Sequence, residues 1–182
     1  MATLGIIVGS TRPGRVGDQV ARWFVERVQL RASFDIDLID LAVLGLPFLD
    51  EGEHASTHVY RQPHTRCWSD RVARLDAVVL VTPEYNSSFP APLKNALDFL
   101  ADEWTGKPVA MVGYGGISSG TRAVQALLPV VTSLGMFVVG AMYVPLRQRI
   151  DDGNVLMSSL EEHSADELLT RLTRLTGALA AQ

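Results

Sequence analysis

The chain lacks most of the patterns by which an enzyme's chemistry is read from sequence. It has one cysteine, Cys67, among 182 residues, so it forms no internal disulfide and a reducing compartment is expected. No Gly-Lys-Ser/Thr closes a glycine-rich loop, which excludes a nucleoside-triphosphatase P-loop. G-x-G-x-x-G is absent as well, so Asp40 in the second expected strand is weak evidence for a dinucleotide ribose contact. Cys67 and Arg71 stand at the wrong spacing for the C-x5-R loop of a cysteine phosphatase, and Cys67 reads as a packed thiol. His54, His58 and His64 match no helical ligand pair with a carboxylate, so no metal site is expected. No apolar run approaches membrane-spanning length, and Met1-Ala2-Thr3-Leu4 carries no basic segment; a cytoplasmic protein without a membrane partner is expected. Basic residues are not in excess either: 16 Lys and Arg face 20 Asp and Glu, a net charge of −4, which argues against nucleic acid as partner.

What is present is a chain of ordinary single-domain length, residues 1–182, with 47% hydrophobic residues, enough to bury a core. Its organising stretch is Gly9-Ser10-Thr11-Arg12-Pro13-Gly14-Arg15-Val16-Gly17, between the apolar run Leu4–Val8 and a helical pattern beginning near Asp18. Gly14 and Gly17 permit a tight turn with backbone N–H groups pointing inward. The helix that follows adds unpaired N–H groups and its positive dipole end. Ser10 and Thr11 bring hydroxyls, and Arg12 and Arg15 bring planar forks suited to phosphate. The alternative is an ordinary polar connection from strand to helix; the coincidence of glycines, hydroxyls and arginines favours an anion cradle.

Val20, Phe24 and Val28, with Ala21 and Val25 beside them, mark one face of a first helix whose edge Trp23 covers. Phe34–Leu41 alternates apolar and acidic residues, as a half-buried strand near a sheet edge does. Residues 42–58 read as a long surface loop in which Leu46-Pro47-Phe48-Leu49 is either a lid, an interface or a connector. Trp68, Val72 and Leu75 suggest a helix over about 66–74. Ala77–Val81 and Pro108–Val112 are continuously apolar, as central strands are. Leu93, Ala96, Leu97 and Leu100 mark another helix, as do Ala123, Ala126, Leu127, Val130 and Leu134, the latter kinked at Pro129 and stopped at Gly135. Met136–Val139 gives a fifth strand, Asp151–Asn154 a turn, and Leu168, Leu172, Leu175 and Leu179 the face of a closing helix. Five strands alternating with helices imply a doubly wound parallel α/β sheet with helices on both faces.

Three special loops follow strands, and in such sheets ligands bind at the strands' carboxyl ends. The second, Thr82–Pro90, offers rigid and aromatic surface from Pro83, Tyr85 and Phe89 with hydrogen-bonding groups from Asn86, Ser87 and Ser88. The third, Gly113–Gly120, has Gly115 and Gly116, against whose backbone a flat ring can lie. A phosphate at one end and a planar heterocycle at the other describe a mononucleotide, with flavin mononucleotide (FMN) the best match.

At Gly9-Ser10-Thr11-Arg12, at Pro83-Glu84-Tyr85-Asn86 continuing through Pro92-Leu93-Lys94-Asn95-Ala96-Leu97-Asp98, and at Gly113–Gly120, the chain resembles the NADPH-dependent FMN reductases of flavodoxin-like fold, relatives of quinone, azo-dye and chromate reductases. The resemblance spans about residues 4–144. It implies that Ser10, Arg12 and the backbone of Arg15, Val16 and Gly17 hold the FMN phosphate. Pro83, Glu84, Tyr85, Asn86 and Ser87 line the ring, and Gly115 and Gly116 lie near its far edge. It also implies a homodimer or homotetramer with the helix from Leu93 near the subunit contact, and NADPH as hydride donor to a small acceptor such as a quinone or free flavin. No residue is required as nucleophile, acid or base. Many relatives carry a hydroxyl residue at Arg15 and asparagine at Gly17, so this chain departs from the pattern there. Two other readings remain: a flavin-binding electron carrier or redox sensor without a nicotinamide site, and an α/β module that binds another phosphorylated metabolite.

Overall fold

Runs of apolar residues with no polar face can only be buried on both sides, and they form the middle of the sheet. In the computed structural model, which describes residues 1–181, every residue of β3 (Ala77–Pro83) and β4 (Pro108–Gly115) is buried. They lie between β1 (Ala2–Val8) and β5 (Phe137–Pro145), with β2 (Phe34–Asp40) outermost beside β1. All neighbours are parallel and the order is β2-β1-β3-β4-β5. That is the flavodoxin-like order, and its switch point falls between β1 and β3.

The sheet separates two apolar layers. On one face α1 (Gly17–Arg31) and α7 (Ser159–Ala180) bring Val20, Phe24, Val28, Leu168, Leu169 and Leu172 onto Leu4, Ile6, Val79, Val81 and Val112. On the other, α3 (Pro63–Ala73), α4 (Ala91–Asp98) and α5 (Thr121–Ser133) bring Trp68, Val72, Leu93, Leu97, Val124, Leu127 and Val131 onto Ile7, Val78, Leu80 and Met111. Trp68 and Trp104 meet edge to face at 5.9 Å between ring centroids. Each buried indole N–H is satisfied, by the Ala96 carbonyl at 2.9 Å and the Leu97 carbonyl at 3.1 Å, as burial of a polar handle requires.

Several details differ from the sequence reading. Cys67 is exposed on α3, not packed; the apolar face of that helix is Trp68 and Val72, and position 67 points away from it. The fifth strand runs to Pro145, six residues beyond the expected end, because Met142 and Val144 continue the buried row against α7. The acidic residues of β2 do not simply face water: Asp37 accepts two hydrogen bonds from Arg71 of α3, at 2.8 and 2.5 Å. The long loop contains a short helix α2 (Leu41–Leu44) and a single 3-10 turn at Ala55–Thr57. The turn near Asp151 belongs to a small hairpin of β6 (Ile150–Asp151) and β7 (Asn154–Val155), preceded by α6 (Leu146–Arg149). α5 runs as continuous helix through Pro129, and Gly135 at φ 72° ends it as expected.

Candidate active site

The loops after β1, β3 and β4 meet at the carboxyl edge of the sheet, at the switch point, around a cleft of about 160 Å3. Larger cavities lie elsewhere, about 330 Å3 between β5 and α7 and about 420 Å3 beside α4. Size does not mark the site; the convergence of three strand-ending loops does. Ligand pockets are commonly about 300–1,000 Å3. A cleft this small would enclose only one end of a mononucleotide and leave the rest on an open ledge.

The first loop lines it with Ser10, Arg12, Arg15 and Val16, the second with Pro83, Glu84 and Tyr85, the third with Gly115 and Gly116. Gly17, Asn86 and Ser87, also expected at the site, are not among the residues that line it. Val16 is the N-cap of α1, and Gly17 is its first residue, so the first turn's free N–H groups face the loop. Asn86 (φ 49°) and Ser87 (φ 67°) form the centre of a tight hairpin, closed by the Tyr85 N–H to Ser88 carbonyl bond at 2.8 Å and its reciprocal at 3.0 Å. Two successive left-handed residues make the type I′ turn that asparagine tolerates well. The turn presents Tyr85 to the first loop, where its hydroxyl sits 2.6 Å from Ser10 Oγ.

Two expected side chains have other tasks. The Arg15 guanidinium is held by Asp40 at 2.6 Å, so at this position the loop offers its backbone and Nε. Asp40 thus fastens the first loop to the end of β2. The Glu84 carboxylate, 9% exposed, accepts the Arg122 backbone N–H at 3.0 Å and lies 3.7 Å from the Arg122 guanidinium. It therefore caps the start of α5 and locks the second loop to the third. Gly120 makes that junction possible, since at φ 89° a Cβ there would lie 2.3 Å from the Tyr114 nitrogen.

Two lining residues were not assigned a role from sequence, Tyr114 and Leu146. Tyr114 ends β4 immediately before Gly115-Gly116, and an aromatic hydroxyl closing a wholly apolar strand was the available signal. Leu146 gave none, because the strand that leads to it was expected to end earlier. The Tyr114 ring fills the space where a residue 17 side chain would go: a Cβ at Gly17 would sit 2.3 Å from its hydroxyl. Burial, followed by the nearby Tyr85, raises the Tyr114 pKa, so it remains a proton donor at any working pH. Among the described residues four buried side-chain polar atoms lack a partner, and two of them, Arg15 Nε and Tyr114 Oη, belong to this cleft. Unpaired buried donors beside a helix N-terminus fit an anionic group. No cluster of metal-ligating side chains occurs among the described residues.

Comparison with known proteins identifies the family. The family described as NADPH-dependent FMN reductase matches residues 2–151. An NAD(P)H-dependent FMN reductase of Schizosaccharomyces pombe is 41% identical over a segment covering 66% of this chain and 61% of that protein, so the chain spans less than two thirds of that relative's length. One from Saccharomyces cerevisiae is 35% identical over 79% of this chain and 80% of its own. A quinone reductase of Pseudomonas putida is 32% identical over 60% of this chain and 58% of its own. Among solved structures, a flavoenzyme NAD(P)H:acceptor oxidoreductase from Paracoccus denitrificans superposes with a TM-score of 0.72 at 22% identity, covering 96% of this chain and 98% of its own. A Streptococcus pneumoniae flavodoxin superposes at 0.59 and 13% identity, covering 95% and 99%. These structural likenesses concern the fold.

Proposed function

Because the chain belongs to the NADPH-dependent FMN reductase family, we propose that it is an FMN-dependent NAD(P)H oxidoreductase in which one FMN-binding domain, residues 1–182, passes reducing equivalents from NADPH to a small acceptor such as a quinone or free flavin. The observation that carries this reading is the convergence of Ser10, Arg12, Arg15 and Val16 from the first loop, Pro83, Glu84 and Tyr85 from the second and Gly115-Gly116 from the third on one open cleft. FMN, when bound, supplies hydride acceptance and electron delivery, chemistry that side chains do not provide. Ser10, Arg12 and the backbone of Arg15, Val16 and Gly17 would bind its phosphate, and the unpaired Arg15 Nε fits that charge. Pro83, Glu84, Tyr85, Asn86 and Ser87 would line the ring, with Gly115 and Gly116 permitting close backbone approach.

The protein's own part is binding and orientation. Glu84, by capping α5, holds two of the three loops in fixed relation, so the ring platform is preorganised. The open ledge lets donor and acceptor use one face in turn, which supports a ping-pong order. No side chain need act as acid, base or nucleophile. Exposed Val43 and Phe48 beside the apolar cavity on α4 support a homodimer or homotetramer through that helix, and the lone Cys67 supports a cytoplasmic location.

The deciding experiment is a visible spectrum of the protein after FMN loading and desalting, before and after anaerobic NADPH. A retained flavin band that bleaches, followed by recovery on adding a quinone, is expected. A retained band untouched by NADPH would replace this reading with a flavin-binding electron carrier.

A further inference from the structure

Tyr114 is 3% exposed and Ser10 fully buried, so bulk water cannot satisfy either hydroxyl. Ser10 Oγ is engaged with the Tyr85 hydroxyl at 2.6 Å, while Tyr114 Oη, although near Ser10, makes no hydrogen bond of good geometry. A serine hydroxyl donates once and accepts twice. A bound phosphate can only accept, so it takes the Ser10 proton and leaves the Ser10 oxygen free to accept a bond from behind. Tyr114 is the buried donor placed there, and Gly17 is the residue whose missing side chain admits it.

We propose that Tyr114 is a positioning residue for the ligand's phosphate, acting through Ser10: on binding, the phosphate takes the Ser10 proton, and Ser10 Oγ accepts from the Tyr85 and Tyr114 hydroxyls together. The inference rests on the flavin reading only for the identity of the phosphate's carrier. In the ligand-free protein the Tyr114 hydroxyl is an unpaired buried group, which destabilises the fold. Binding removes that penalty and adds a charge-assisted chain of two bonds.

The test uses the full-length protein and Tyr114→Phe, with FMN, riboflavin and inorganic phosphate as probes. The ligand-free variant should melt at the wild-type temperature or slightly above it, because an unpaired hydroxyl is removed. FMN should bind about tenfold more weakly, whereas riboflavin, which lacks the phosphate, should bind as to wild type. In a double-mutant cycle Ser10→Ala with Tyr114→Phe should bind FMN no more weakly than Ser10→Ala alone. Unchanged FMN affinity, additive effects in the cycle, or a ligand-free variant that melts lower and loses riboflavin in proportion would each overturn the proposal. If the wild type binds neither flavin, the flavin reading fails by itself. The thermal shift with inorganic phosphate then decides: loss of the wild-type shift in Tyr114→Phe supports the role, and an equal shift refutes it.

Discussion

At position 17 a methyl group is too large. The space beside its α carbon is occupied by the Tyr114 hydroxyl at 2.3 Å and its Cζ at 3.2 Å. Helix propensity alone favours alanine over glycine at most helical positions; here packing reverses the preference. Gly17→Ala should lower stability by about 1–3 kcal/mol, as overpacking does, measured by urea unfolding of the ligand-free protein. Tyr114→Phe removes the atom in closest conflict, so the double variant should recover most of the loss. An additive double variant would show that the clash is relieved by backbone movement instead. The sequence reading explained this glycine by turn geometry, whereas its neighbour across the fold explains it better. Contacts between positions 97 residues apart leave no mark in local pattern, which is why Tyr114 acquired no role until the loops were placed.

The elements themselves were legible where burial is two-sided or one-sided along a whole run. β3 and β4 are continuous apolar stretches, α1 a regular stripe from Val20 to Val28, and their loops fall where glycine, proline and asparagine cluster. Less legible was β5, whose buried row continues only at alternate residues, Met142 and Val144, beyond the glycine at 140. Also invisible were the fastenings between elements: Asp37 to Arg71, Asp40 to Arg15, Glu84 to the start of α5. Each pairs charged residues that local patterning assigns to solvent. α7 carries another such fastening. Its N-cap Ser158 and Glu161 form a capping box, and Arg149 donates to Glu161 at 2.8 Å. Burial alone would raise the Glu161 pKa, but the hydrogen bonds from Arg149 and Ser158 outweigh it and hold it at about 2. A depressed carboxylate stabilises the fold above its unfolded pKa and loses that contribution as pH falls through the folded value. Between about pH 4.5 and pH 2 this group should therefore surrender about 2–3 kcal/mol. Denaturant unfolding at pH 7, 4 and 3 would show a decline that is shallower in Glu161→Gln; parallel curves would place the acid sensitivity elsewhere.

For the whole molecule, the net charge of −4 repels a phosphate at long range, while in the proposed site Arg12, the Arg15 Nε and the start of α1 would attract it within the cleft. The two terms differ in how salt acts on them. Exposed charges more than about 10 Å apart are screened at about 0.1 M salt; backbone donors and a half-buried guanidinium in contact are screened far less. Saturating FMN at about 100 times its Kd should stabilise the fold by about 2.7 kcal/mol, which for a chain of this size is about 5–10 °C in melting temperature. Riboflavin at the same molar concentration should give a smaller shift, because it makes the ring contacts without the cradle. The difference between the two is the cradle's contribution. If it arises from contact donors, as the buried Ser10 and the N-terminus of α1 indicate, most of it should survive from 20 mM to 500 mM sodium chloride. A difference that disappears in high salt would assign the phosphate to exposed Arg12 alone. Equal shifts for both flavins at every salt concentration would remove the phosphate from the cleft altogether.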